Sequence, residues 1–138
     1  AGLRRLGFAQ RISAAIEIEE MLPAVSQGAL GVETRADDAA TNALVARLDH
    51  SATRSAVLAE RALLRSLGGG CQVPIAAYAT VSGERLRLDG LVASLSGEAV
   101  IRDSIEGAAS DAGGVGEALA ARMLERGAAK LLEGAADR

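Results

Sequence analysis

Residues 73–106 read VPIAAYATVSGERLRLDGLVASLSGEAVIRDSIE, and three strand-like runs stand out: Val73–Val81, Glu84–Leu95 and Glu98–Glu106. Ser82-Gly83 and Ser96-Gly97 separate them and predict tight hairpin turns, because glycine reaches positive φ without a steric penalty. Arg85-Leu86-Arg87-Leu88 alternates with period two, as in a sheet with one wet face and one dry face. The dry face needs a cover.

Helical signals on both sides supply that cover. Ser51 or Thr53 can cap a helix running to about Leu67; Leu63, Leu64 and Leu67 recur on it at helical spacing, and Arg61 and Arg65 share one face. Gly68-Gly69-Gly70 ends it. After the strands, Asp111 opens a last helical region in which Val115, Leu119 and Met123 repeat at i, i+4 and i+8. Gly127 interrupts this region, and Leu131-Leu132 close its apolar face. Residues 50–138 therefore predict an α+β domain: a three-stranded antiparallel sheet with helices on one face.

The upstream third is less regular. Residues 1–21 mix short helical signals with a turn at Gly7, and Leu22 to Gly28 read as a turn-rich connector. Ala29–Thr34 is a short apolar run, expected to be a buried strand. Asp37 and Asp38 offer cap chemistry for a helix through Leu48, with Leu44, Val45 and Leu48 as its stripe. The first residue is Ala and no cap precedes the first helical signal, so the chain reads as a processed or trimmed product or as part of a longer protein.

Composition narrows the function classes. Of 138 residues, 49% are hydrophobic but only 1% aromatic, so Leu, Val, Ile and Ala must build the core. Phe8 and Tyr78 are too few to stack bases, and 15 basic residues interspersed with 18 acidic ones make no phosphate-binding stripe; no nucleic-acid partner is expected. No apolar run is long enough to span a membrane, and no membrane partner is expected. A single Cys forms no internal disulfide, which fits a reducing, cytoplasmic setting. One Cys and one His are too few for a zinc site, so no metal is expected.

The chemistry-bearing residues have two readings each. Cys71 sits in GGGCQVP, residues 68–74. Just past a helix C-terminus the dipole works against a thiolate, so position alone does not activate it. It is a small loop hydrophobe or a thiol with room beside it, and composition leaves both open. His50 reads as a polar residue at a domain junction rather than a base. Gly113-Gly114-Val115-Gly116 lacks a Walker lysine and follows no Rossmann strand; it reads as a cap. Arg4 and Arg5 form either a solvated helix end or a carboxylate fork.

Three long stretches, in register, shift these odds. Leu22-Pro23-Ala24-Val25-Ser26-Gln27-Gly28-Ala29-Leu30-Gly31-Val32-Glu33 resembles the LPAVGQGALGIE segment of the porphobilinogen deaminase (hydroxymethylbilane synthase) family. Ala59-Glu60-Arg61-Ala62-Leu63-Leu64 followed by Gly69-Gly70-Cys71-Gln72-Val73-Pro74-Ile75 resembles its cofactor-attachment signature. Ala1-Gly2-Leu3-Arg4-Arg5-Leu6-Gly7 resembles a third family segment. Ser26 departs from the family pattern, which has Gly or Ala there, and Gly68 from a common Glu.

The resemblance implies a dipyrromethane cofactor held by a thioether at Cys71, with Gly70, Gln27 and Gly28 beside it and Arg5 on its acidic side chains. Arg61 is expected to brace the cofactor loop or to pair locally. The implied partners are porphobilinogen, the growing linear polypyrrole and the remaining lobes of a monomeric enzyme. The implied reaction is stepwise addition of four porphobilinogen units, in tetrapyrrole biosynthesis. The resemblance also divides the chain. Residues 1–28 would be the tail of a second periplasmic-binding-protein-like α/β lobe, 29–48 a returning piece of the first, and 50–138 the cofactor-carrying C-terminal domain. The family's catalytic aspartate has no match here. No catalytic residue is assigned to this chain, and it is expected to be inactive alone. The alternative is a non-catalytic binding or regulatory module derived from the third domain.

Overall fold

The strands form in the expected order, and the elements upstream are short. The structure, a computed structural model, describes residues 2–69 and 73–136. In chain order the elements are α1 (Gly2–Arg5), α2 (Ala39–Val45), α3 (Ser51–Ser66), β1 (Ile75–Ser82), β2 (Arg85–Ala93), β3 (Val100–Ala108), α4 (Ala112–Glu125) and α5 (Ala128–Ala136). Single 3-10 turns lie at Ala9–Arg11, Ala46–Leu48 and Ala109–Asp111.

β1 pairs with β2 and β2 with β3, both antiparallel. Ala79 faces Leu88 and Leu88 faces Ile105, so the alternation of β2 puts Leu86, Leu88 and Val92 on one side. All three are buried. The β1–β2 turn is a two-residue one, as expected, but its residues are Gly83-Glu84, with Ser82 and Arg85 paired across it. Glycine leads because the first position takes φ +59°. The second connection is not tight. The Ser94 N–H donates to the Ala99 carbonyl at 2.8 Å, and the Ser94 hydroxyl accepts from Ala99 N–H at 3.1 Å. Ser94 thus closes a wider loop, which takes Leu95 out of the strand and leaves it 54% exposed.

The dry face is covered by α3 and α4. Ala59, Ala62 and Leu63 meet Val115, Leu119, Ala120 and Met123 over the sheet, and all seven are buried. A Cβ on Gly116 would overlap the carbonyl oxygen of Ala59, so glycine there sets how closely the two helices pack. The run expected to be a cap therefore has two jobs. Asp111 is the cap residue, accepting from Gly114 N–H at 3.3 Å, and Gly116 is the close-packing residue. At its other end α4 is pinned to β3: Arg122 bonds Asp103 at 2.8 Å, and Arg126 lies 3.5 Å from the same carboxylate.

Residues 2–48 contribute little to this core. Leu22 is the only buried residue among them. Ala29–Thr34 is not a strand: Leu30 is 97% exposed. An extended run joins a sheet only beside a strand that can pair its backbone, and none pairs with it among the described residues. α2 does form behind Asp38, whose carboxylate accepts from Thr41 N–H at 3.0 Å. That bond, with the Thr41 hydroxyl, holds the Asp38 carboxyl below its usual pKa. Leu44 on α2 and Leu48 on the 3-10 turn that follows it both stay exposed. Among the described residues no helix is long and apolar enough to cross a membrane.

Candidate functional site

The sequence sets Cys71 between the end of α3 and the start of β1, so the ends of these elements matter most. α3 starts one residue earlier than a Ser51 cap would dictate and three earlier than a Thr53 cap. Its cap is His50, whose Nδ1 accepts from Thr53 N–H at 3.4 Å and shares a 2.8 Å hydrogen bond with the Thr53 hydroxyl. This ties His50 to the helix start and gives it a structural task.

The other end of α3 closes with paired bonds. Gly69 N–H donates to the Leu64 carbonyl at 2.9 Å and Gly68 N–H to the Arg65 carbonyl at 3.0 Å, with Gly68 at φ +69°. This is the Schellman arrangement, which satisfies helix-end carbonyls and stops the helix. A Cβ on Gly69 would stand 2.6 Å from side-chain carbons of both Leu64 and Ile75. Two of the three glycines are thus committed to ending and packing the helix, not to making room for a thiol. Gly70, Cys71 and Gln72 lie outside the described residues. On the far side Val73 packs against the core, and its carbonyl accepts from Ile75 N–H at 2.8 Å.

The turn Val25–Gly28 meets these elements through Glu60. Glu60 lies next to Ala59 on the buried stripe of α3 and is 6% exposed. Its Oε2 accepts from Ser26 N–H at 2.6 Å and its Oε1 from Ala79 N–H at 2.8 Å. Burial pushes the carboxyl pKa up, and these two N–H donors partly offset the shift. Pro23 adds a third link, its carbonyl accepting from Ala77 N–H at 3.2 Å. The next residue, Arg61, donates from Nε to the Ser26 hydroxyl at 3.2 Å.

The predicted residues therefore fall in two places. Gln27 and Gly28 sit on this turn, both exposed, with Gly28 at φ +88°. Arg5 is exposed on α1, and no hydrogen bond among the described residues ties α1 to the turn. Sequence reasoning missed Glu60 as a linker, although a carboxylate beside Ala59, Ala62 and Leu63 was the available signal. Ser26 is the one non-glycine residue at positive φ among those described, at +62°.

A groove of about 620 Å³ opens beside Gly28, lined in part by Leu30, Val32, Arg54 and Arg61. Arg54 is held by Asp49 through a pair of bonds, at 3.0 and 2.9 Å. A second cleft, on the wet face of the sheet, has its arginines engaged elsewhere: Arg87 with Asp89 at 3.0 Å, and Arg102 with the Glu19 carbonyl at 2.6 Å. No predicted site residue lines it. Among the described residues no three of His, Cys, Asp and Glu gather as metal ligands.

In class this is an open-faced α+β domain with an upstream turn bonded to its first helix and first strand. Its sequence matches two family profiles: "Porphobilinogen deaminase, C-terminal domain" over residues 54–125 and "Porphobilinogen deaminase, dipyromethane cofactor binding domain" over residues 1–43. The chain belongs to the porphobilinogen deaminase family. The porphobilinogen deaminase of Trichlorobacter lovleyi is 49% identical over 133 residues, which is 96% of this chain and 43% of that protein. That of Moorella thermoacetica is 50% identical over 96% of this chain and 42% of its own length, and that of Pelobacter propionicus 47% over 96% and 43%. The chain thus spans well under half the length of these curated relatives. Arg5, Gln27 and Gly28 lie within the stretch matched to the cofactor binding domain, and Cys71 within that matched to the C-terminal domain.

Proposed function

We propose that this chain is the C-terminal part of a hydroxymethylbilane synthase, a transferase that condenses four porphobilinogen units on a dipyrromethane primer in tetrapyrrole biosynthesis. The observation that carries the reading is the pair of family matches, in order along one chain. The primer is held by a thioether between its methylene carbon and Cys71 Sγ. When bound, it offers a free pyrrole end for the addition of new units.

The residues present suit a group bearing several carboxylates. Nothing lies within 4 Å of a Cβ placed on Gly28, which leaves that side of the turn open. The exposed guanidinium of Arg61 stands on the wall of the groove beside it. On this reading Arg5 pairs with the acidic side chains of the primer and the growing chain, because its planar fork matches a carboxylate. Gln27 and Gly28 form the wall beside the primer, and Gly70 leaves space next to the sulfur.

The same reading divides the chain. Residues 1–28 and 29–48 belong to two periplasmic-binding-protein-like lobes, and 50–138 to the third domain. The exposed Leu6, Leu30, Val32, Leu44 and Leu48, all within the first 48 residues, support that division. The location is cytoplasmic.

The intact mass of the denatured chain, isolated from the complete enzyme, tests the central claim. A two-pyrrole adduct that maps to Cys71 is expected. An unmodified Cys71 in an enzyme that turns over porphobilinogen would refute the attachment. The 138-residue chain alone should release no tetrapyrrole from porphobilinogen, since it has no match to the family's catalytic aspartate; steady turnover would show that its own residues suffice.

A further inference from the structure

Glu60 is the one charged residue in the buried set among the described residues. A buried carboxylate is expensive to desolvate, and an apolar side chain would fill the same place at less cost. Its bonds are therefore the feature to explain. Its two oxygens reach chain segments far apart in sequence: Ser26 is 34 residues away and Ala79 is 19. Neither link is to another side chain. Both are to backbone N–H groups, so what the carboxylate fixes is where the chain runs. On the Ser26 side, the turn holds a non-glycine residue at φ +62°, a conformation that L residues leave readily. Glu60 and, one residue on, Arg61 are the two side chains that bond Ser26 in this position. On the other side, Ala79 lies in β1, and α3 itself carries the carboxylate.

We propose that Glu60 is a positioning residue: its carboxylate locks the Val25–Gly28 turn, and with it Gln27 and Gly28, against α3 and β1, the two elements that lead into and out of Cys71. The proposal rests on the reading of Cys71, Gln27 and Gly28 as the primer site. Glu60 touches neither primer nor substrate in this scheme. It acts through the Ser26 amide: without that bond the turn relaxes and Gln27 loses its fixed place relative to α3 and β1.

The complete enzyme carrying Glu60→Gln and Glu60→Ala provides the test. Primer loading is read by intact mass, turnover by initial rates across a porphobilinogen range, and the turn by amide hydrogen exchange at Ser26. Both variants should load the primer fully and exchange Ser26 faster. KM should rise, and kcat/KM should fall by on the order of 10²-fold for Ala, the scale of a small misplacement of reacting groups. Gln keeps one acceptor oxygen and should fall between Ala and the parent. A loss of folded protein alone would lower kcat and leave KM unchanged. Unchanged KM with faster Ser26 exchange would overturn the proposal, as would a Gln variant that cannot fold, since the carboxylate would then be a requirement of the fold. Cys71→Ser forms a separate arm: normal turnover there would defeat the primer reading itself, whatever Glu60 does.

Discussion

Gly68 ends α3 at φ +69°. A side chain in this left-handed position costs about 1–2 kcal/mol, so Gly68→Ala should lower stability by about 1 kcal/mol in chemical denaturation. A midpoint no lower than the parent's would contradict the helix-end geometry. Glu60 gives a pH signature. Its pKa is raised by burial, so the folded chain binds this proton more tightly than the unfolded chain does. The associated stability is complete below the ordinary value of 4.5 and is lost as pH rises through the raised value. The thermal midpoint of the parent relative to Glu60→Gln should therefore fall as pH rises above about 4.5. A flat difference would remove the inferred burial cost. Local pattern revealed some residues and hid others. The Asp38 and Asp111 caps were legible because a short acidic side chain before a helical pattern has few other uses. His50 was hidden behind Ser51 and Thr53, which are stronger cap formers, yet its ring reaches Thr53 from one residue earlier.

Elements were legible where their partners are close in sequence. The three strands follow one another directly, and an alternating pattern beside a glycine turn is enough to place them. The second turn misled because Ser96-Gly97 looks like a hairpin dipeptide, whereas the Ser94 hydroxyl closes a wider loop. Ala29–Thr34 misled for a different reason: apolar content predicts burial, but a strand needs a neighbour, and none pairs with this run among the described residues. Close helix packing was invisible too, since a glycine-rich helix start looks the same whether it caps or packs. Gly116→Leu tests which it does. Forcing a side chain against the Ala59 carbonyl should cost roughly 1–3 kcal/mol or more and speed amide exchange along both α3 and α4. Ordinary exchange in α3 would show that the helices do not meet at Gly116.

For the molecule as a whole, the division between residues 2–48 and the rest is one of burial. All the buried residues but Leu22 lie from Ala59 onward among the described residues. A chain of residues 50–138 should therefore keep a cooperative thermal transition, losing the Leu22 and Val25 contacts and the bonds that Glu19, Pro23, Ser26 and Asp49 make. Non-cooperative melting of that shorter chain would mean that the upstream segment organises the core. The fold of this half was legible because each element carries its own local pattern and the strands pair with their sequence neighbours. The candidate site was only partly so, because it joins residues near 26 to residues near 60 and 79, a juxtaposition no local pattern reveals.

The Pro23 carbonyl and the Glu60 carboxylate accept two successive outward N–H groups of β1, those of Ala77 and Ala79. β1 is the outermost strand on that side of a three-stranded sheet. An uncovered outer strand is a template on which another chain can add. Here an incoming strand would have to displace a proline, which has no N–H to offer in exchange, and a carboxylate, which repels the carbonyl oxygens the newcomer must present. The same few atoms that fasten the upstream turn therefore also guard this edge of the sheet against a neighbouring molecule.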